Sequence, residues 1–314
     1  MNTVQSAAPV PVLEIGGTHV TAALVELQSG TVTPGSLRRA TLSPSGGSEE
    51  ILATVISCGS ALPARAGQGW GVAIPGPFDY ARGIAWFEGV GKFEALYGVD
   101  VGAALAGGLP GPPGPVTFLN DADAFLLGEW LFGAAAGSSR CIALTLGTGI
   151  GSAFLADGEI CQSGPGVPPE GRADLLTIGG LPLEDVVSTR AIEREYRSRT
   201  GEATSGTAEI ARRARGGQPA ALEVLKDAFV ALGGALKPWL RQFKASVLVV
   251  GGSMSGSWDV IGPALVDGAG AASSGGGGTA EAEAPVLRVV VAANPEQAAL
   301  LGAAAAASRR STLT

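Results

Sequence analysis

Residues 141–156 read CIALTLGTGIGSAFLA. An apolar run enters the Gly147-Thr148-Gly149 turn and returns as small and apolar residues, which predicts a β-hairpin. Residues 11–26, PVLEIGGTHVTAALVE, repeat the design around Gly16-Gly17-Thr18. Gly16 and Gly147 stand 131 positions apart, and two copies of one hairpin predict two lobes of related construction.

Working outward, a helix is expected around 48–58, a strand over 69–74 (GWGVAI) and a turn at Pro75-Gly76-Pro77. The Pro/Gly-rich stretch 107–115 (GGLPGPPGP) reads as a linker, and the composition shift places the lobe boundary near 115–120. The strand VTFLN and a helix opening at Asp121 follow. Apolar residues at three- and four-residue spacing predict helices over 184–199 and 217–243, and SVLVV then runs into Gly251-Gly252-Ser253. Residues 268–284 lack apolar periodicity and read as a flexible excursion. PVLRVVVA is a last strand, and NPEQAALLGAAAAAS a last helix starting at its Asn-Pro pair.

The chain has 314 residues, 49 of them glycine, and a net charge of −7. That charge argues against a nucleic-acid surface. Arg190 to Arg199 and Arg212 to Arg215 fall on stretches that read as exposed helix faces. Cys58, Cys141 and Cys161 form no CxxC and are odd in number, so a disulfide framework and a thiolate zinc site are not indicated. A reducing cytoplasm fits. The first residues, MNTVQSAAPVPV, lack a signal-peptide pattern, and no apolar run of about 18 residues predicts a membrane span.

Three strand-to-turn junctions carry glycines: Gly16-Gly17-Thr18, Gly147-Thr148-Gly149 with Gly151, and Gly251-Gly252-Ser253. Such turns can aim successive amides at one anion, and polyphosphate is the obvious guest. Glycine in a hairpin also needs no ligand, and neither one-line nucleotide motif is present. Asn120-Asp121-Ala122-Asp123 joins a strand to a helix. An Asp there can take a proton from a bound hydroxyl, or these residues can be helix caps, and the two readings are compatible. The single histidine, His19, reads as a polar turn residue, which leaves hydrolytic triads and histidine metal sites without support.

With these motifs in order, the chain resembles the ROK family of sugar kinases and sugar-sensing repressors, within the actin, sugar kinase and Hsp70 superfamily. EIGGTHVTAALVE looks like the family's first phosphate hairpin, GVAIPGPFD like its GxPGxxD turn and FLNDADAFLLGE like its NDANAAALGE segment. LTLGTGIGSAFLADGEI is similar to the second phosphate hairpin, LPLEDVVSTRAI to the CLExxxSGxAI helix and VLVVGGSMS to the adenosine loop. The resemblance implies an α/β, two-lobed actin-like ATPase fold of the ribonuclease H-like type, with a mixed β-sheet flanked by helices in each lobe. Residues 1–118 would form the N-terminal lobe, joined by a C-terminal helix at about 296–314, and 119–295 the C-terminal lobe.

The resemblance further implies an ATP- and magnesium-dependent kinase acting on a hydroxyl of a hexose or related polyol. Asp121 would be the general base; Asn120, Asp121, Glu170, Glu184 and Gly76 would bind the sugar. Gly16, Gly17, Thr18, Gly147, Thr148 and Gly149 would surround the phosphates, and Gly251 and Gly252 the nucleoside. A homodimer is what the family suggests. The departures are specific. Glu14 replaces the Asp that orients hydrated magnesium, and Ala173 replaces the ExGH histidine, with Asp174 adjacent as a substitute. The zinc-binding cysteine segment is replaced by RADLLTIGG, so no zinc site is expected. These departures keep two other readings open: a sugar-binding regulator with weak or no kinase activity, and a kinase using a cyclitol, an amino sugar or a polyphosphate donor. The first hairpin begins by residue 12, so an N-terminal helix-turn-helix is not expected.

Overall fold

The computed structural model describes residues 8–110, 114–271 and 286–311. The chain forms two compact units, Met1–Phe132 with Glu296–Thr314, and Gly133–Pro295.

In the first unit, β1 (Val10–Ile15) and β2 (His19–Glu26) are the expected hairpin, in the register Ile15 to Val20. β3 (Thr31–Val32) and β4 (Arg38–Thr41) extend it along β2, and α1 (Ser48–Ser60) follows. β5 (Trp70–Ile74) runs parallel to β1; β6 (Phe78–Asp79) and β7 (Ile84–Ala85) form a small ribbon. α2 (Val101–Gly108) leads to β8 (Val116–Asn120), parallel to β5, and then to α3 (Asp121–Phe132). The core is Leu13, Ile15, Val20, Trp70, Val72, Phe87, Phe93 and Leu105 with their neighbours, all shielded from water. Such contiguous apolar burial is the main favourable term in folding.

The second unit repeats the plan. β9 (Arg140–Leu146) and β10 (Ile150–Ala156) are the second hairpin, extended by β11 (Glu159–Ile160), with β12 (Thr177–Ile178) and β13 (Leu181–Pro182) as a separate ribbon. α4 (Glu184–Val187), α5 (Thr189–Thr200), α6 (Thr207–Arg215) and α7 (Pro219–Phe243) precede β14 (Val247–Gly251), which lies parallel to β9. α8 (Trp258–Ala269) and β15 (Arg288–Val291), parallel to β14, complete it. β1, β5 and β8 thus correspond in order and direction to β9, β14 and β15. The last helix, α9 (Ala298–Ser311), belongs to the first unit.

Several expectations move. The units divide after Phe132, whereas 118/119 was expected: β8 is hydrogen-bonded into the first sheet, and α3 packs on α9. That packing is close. A Cβ at Gly302 would overlap the Ala124 carbonyl, and one at Gly128 the Ala298 carbonyl, so only glycine admits the approach. Gly107 and Gly108 end α2 rather than forming linker, and residues 111–113 lie outside the described residues. The 184–199 helix is broken at Ser188, whose hydroxyl accepts from the Ala191 amide at 3.3 Å and caps α5. α9 begins three residues after Pro295, because 295–297 form a turn. Of the 268–284 excursion, 272–284 lie outside the described residues, and 268–269 close α8. Arg213 is not a solvated helix face: it donates to the Tyr196 hydroxyl at 2.8 Å and pairs with Glu209 and Glu202.

Candidate active site

In the first unit, β1, β5 and β8 are parallel, so the residues at their carboxyl ends share one edge of the sheet, the edge where α/β folds place ligands. Glu14 stands one residue before the end of β1, Gly76 follows β5, and Asn120 and Asp121 make the step from β8 into α3. Burial pushes the Glu14 carboxyl up to about 7, the Asp121 charge adds to this, and Arg39 pulls it back. Burial likewise raises Asp121, opposed by Lys92, by the Ala122 and Asp121 amides and by Asn120. Asp121 as a residue is half-buried, and its Oδ1 accepts from the Ala122 amide at 2.9 Å.

Asn120 does cap α3: its Oδ1 accepts from the Ala122 amide at 2.9 Å and the Asp123 amide at 3.4 Å. Its Nδ2 donates to the Tyr80 hydroxyl at 3.1 Å, and a Cβ at Gly76 would stand 3.3 Å from that hydroxyl. Tyr80 is therefore the post against which both Asn120 and the Gly76 turn are set. In the first hairpin the Gly16 amide donates to the His19 carbonyl at 2.8 Å, and the Thr18 hydroxyl pairs with His19 Nδ1 at 2.8 Å. The Gly17 and Thr18 amides have no partner among the described residues. Lys92 Cδ lies 3.8 Å from where a Gly17 Cβ would be, which sets a cation beside this turn as well as near Asp121.

In the second unit the Gly147 amide donates to the Gly149 carbonyl at 3.0 Å, leaving the Thr148 and Gly149 amides without partners among the described residues. Two turns with this arrangement are anion nests in the physical sense: unpaired N–H groups clustered on a tight bend. Thr189 donates to the Gly147 carbonyl from both its amide, at 3.1 Å, and its hydroxyl, at 2.9 Å. Glu184 Oε1 accepts from the Ile150 amide at 2.8 Å. Gly251 closes β14 opposite Thr145, Gly252 takes φ 81°, and a Cβ at Gly147 would lie 3.2 Å from Ser253 Oγ. A Cβ at Gly252 would overlap the Leu146 backbone, so that glycine is already required by the fold. The Gly147 turn, Gly252-Ser253, Glu184 and Thr189 thus form one cluster.

A model of the ROK family matches residues 11–310. The chain belongs to the ROK family. This ROK protein is 30% identical over 214 residues to the glucokinase of Thermotoga maritima, a match spanning 61% of the chain and 65% of that enzyme, just under two thirds. The inorganic polyphosphate/ATP-glucomannokinase from Arthrobacter sp. strain KM has TM-score 0.66 and 26% identity, covering 97% of this chain and 100% of that one. A ROK family glucokinase from Streptomyces griseus, in complex with glucose and AMPPNP, has TM-score 0.70 and 23% identity, covering 96% and 99%. The two mixed sheets flanked by helices are therefore the actin-like ATPase fold of that family.

Within this ROK protein, Glu170 sits on an exposed turn of the second unit. Its side chain is 76% exposed, at φ 58°, and its nearest cation is Arg172 at 3.9 Å. Asp174, beside the missing histidine position, is paired with Arg172 at 2.6 Å and 3.3 Å. Ala173 is fully buried, and its amide donates to Ser152 Oγ at 2.8 Å, which in turn donates to the Gly171 carbonyl at 2.7 Å. Sequence reasoning passed over Tyr80, Lys92, Ser152 and Arg172. Lys92 had a signal, being one of only four lysines and set in the glycine-flanked run GVGKF. Tyr80 had none, since its partner is 40 positions away.

The residues fit the groups the family implies. Clustered unpaired amides suit phosphate oxygens. Glu14 and Asp121 are hard oxygen donors whose charges oppose each other, and a magnesium ion relieves both conditions. No group of three or more His, Cys, Asp or Glu that could hold a metal occurs among the described residues.

Proposed function

We propose that this ROK protein is an ATP-dependent sugar kinase that transfers the γ-phosphate to a hydroxyl, preferably primary, of a hexose or hexose-like polyol. The observation that carries the reading is Asp121: a carboxylate at a strand end, raised by burial toward the range of a working base and partly drawn back by the nearby Lys92 charge. The glucokinase relatives and the AMPPNP-bound neighbour support the same donor and acceptor classes.

In this mechanism Asn120, set by Tyr80 and by its capping bonds, and the Gly76 turn hold sugar hydroxyls beside Asp121. The Asp121 carboxylate accepts the proton of the attacking hydroxyl, a role typically contributing about 10²–10⁴-fold. The free amides of Gly17, Thr18, Thr148 and Gly149 receive phosphate oxygens, and Gly251-Gly252 approach the nucleoside. Magnesium, when bound, would be held through Glu14 by way of water and neutralises phosphate charge. Because charge on the transferring group is the main obstacle, positioning and electrostatics suffice for catalysis. No helix among the described residues is long and apolar enough to cross a membrane. The family resemblance, not that absence, is what suggests a homodimer, and the cysteine usage is what fits a reducing cytoplasm.

A panel of hexoses, amino sugars and cyclitols scored for ADP release, with Asp121→Asn as the blank, tests the activity and names the acceptor; inorganic polyphosphate in place of ATP tests the donor. Glu170's exposure and Asp174's engagement favour a second reading, a sugar-binding regulator without turnover. Calorimetric titration with ATP and magnesium separates the two, since a pure sugar sensor takes up no nucleotide.

A further inference from the structure

We propose that Glu184 is a positioning residue that straps the second phosphate hairpin into its binding shape. The inference rests on the kinase reading above and reassigns a residue that the family resemblance places only on sugar hydroxyls.

The turn from Leu146 to Ile150 is gripped at both ends by one stretch of chain. At its far end the Ile150 amide donates to Glu184 Oε1 at 2.8 Å, across 34 positions. At its near end the Gly147 carbonyl accepts from the Thr189 amide and hydroxyl, across 42 positions. Glu184 and Thr189 flank Ser188, so α4 and the start of α5 act as a two-point clamp. Between the grips lie the Thr148 and Gly149 amides, the two left free for an anion. Gly149 is matched to the clamp: a Cβ there would stand 2.5 Å from the same Glu184 oxygen, too close for any side chain unless the carboxylate withdraws. One Glu184 oxygen therefore orders the donor turn, while the other has no hydrogen bond among the described residues and its charge is felt by Arg172.

Hydrogen exchange by mass spectrometry on the ligand-free chain reads the strap directly. Glu184→Ala should speed exchange of the Ile150 amide, in a peptide covering 146–152, by about tenfold, the loss of one charge-assisted bond. Glu184→Gln keeps an acceptor oxygen and should leave it near wild type. In ATP titrations with magnesium and no sugar, Glu184→Ala and Gly149→Ala should each bind about tenfold more weakly, and Glu184→Gln within about threefold of wild type. A Glu184 that touches sugar alone would leave both Glu184 titrations unchanged. Unaltered exchange in Glu184→Ala overturns the strap, as does equal loosening of the Val247–Gly251 peptide. Faster local exchange in a chain whose wild type takes up no ATP keeps the strap and overturns the kinase reading.

Discussion

The Asn120 amide donates to the Tyr80 hydroxyl at 3.1 Å while its carbonyl caps α3, so a single side chain joins the β8 end to the turn after β5. Tyr80→Phe removes the acceptor without changing shape. The unpaired Asn120 amide should cost on the order of 1 kcal/mol of stability, read by denaturant titration. The KM for sugar should rise about three- to tenfold with a smaller change in kcat, because orientation of the acceptor is lost and the base is kept.

Asp121 and Lys92 are coupled through charge. Asp121→Asn should lower kcat by about 10²–10⁴ while sugar binding persists. Lys92→Met removes the charge that opposes the upward push of burial on Asp121. The acid limb of the pH–kcat/KM profile should therefore move to higher pH in this variant, as measured from pH 4 to 8. An acid limb that stays in place would dissociate Lys92 from the base.

Burial and the Asp121 charge push the Glu14 carboxyl from its ordinary 4.5 up to about 7 in the folded chain. Between those values the folded chain holds a proton that the unfolded chain has released, so the stability linked to the neutral carboxyl is full below pH 4.5 and lost as pH rises through 7. The effect is on the order of 1–3 kcal/mol. In metal-free buffer, Glu14→Gln should flatten the fall in Tm between pH 5 and 8 and leave the variant more stable than wild type at pH 8. Its kinase activity at saturating magnesium should drop.

The α3 and α9 contact makes a sharp prediction about folding. Gly302→Ala places a methyl on the Ala124 backbone, which cannot withdraw as a flexible side chain could. Destabilisation of about 1–3 kcal/mol is expected from overpacking, seen as a lower midpoint in urea. Alanine at the solvent-facing Gly107 of α2, where no atom lies within 4 Å, should be neutral or stabilising.

Much of this protein was legible because its decisive motifs are short. A hairpin such as 141–156 is specified by residues within one turn of each other, and the step from VTFLN into DADAF carries its own capping residues. Periodicity likewise located α7, since Leu225, Phe229, Leu232, Leu236 and Leu240 all fall on its buried face. The failures came where distant residues decide. Pro/Gly-rich composition drew the boundary to 115–120, yet β8 is held by pairing with Trp70–Ile74 and α3 by helix α9 from the far end of the chain. Arg213 read as a charged surface residue because nothing within its own helix discloses the Tyr196 ring 5.4 Å beneath its guanidinium.

The sequence alone therefore determined the two glycine hairpins, the α/β repeat and the placement of Asp121 at a strand end, since these follow from local backbone preference and side-chain alternation. The family resemblance had suggested nucleotide contact at Gly149 and Gly252. Only the tertiary structure decided that Gly149 also makes room for the Glu184 carboxylate, that Gly252 lies on the Leu146 backbone, and that Lys92 stands beside both Gly17 and Asp121. Those relations join residues 29 to 106 positions apart, and close packing, not local preference, selects them.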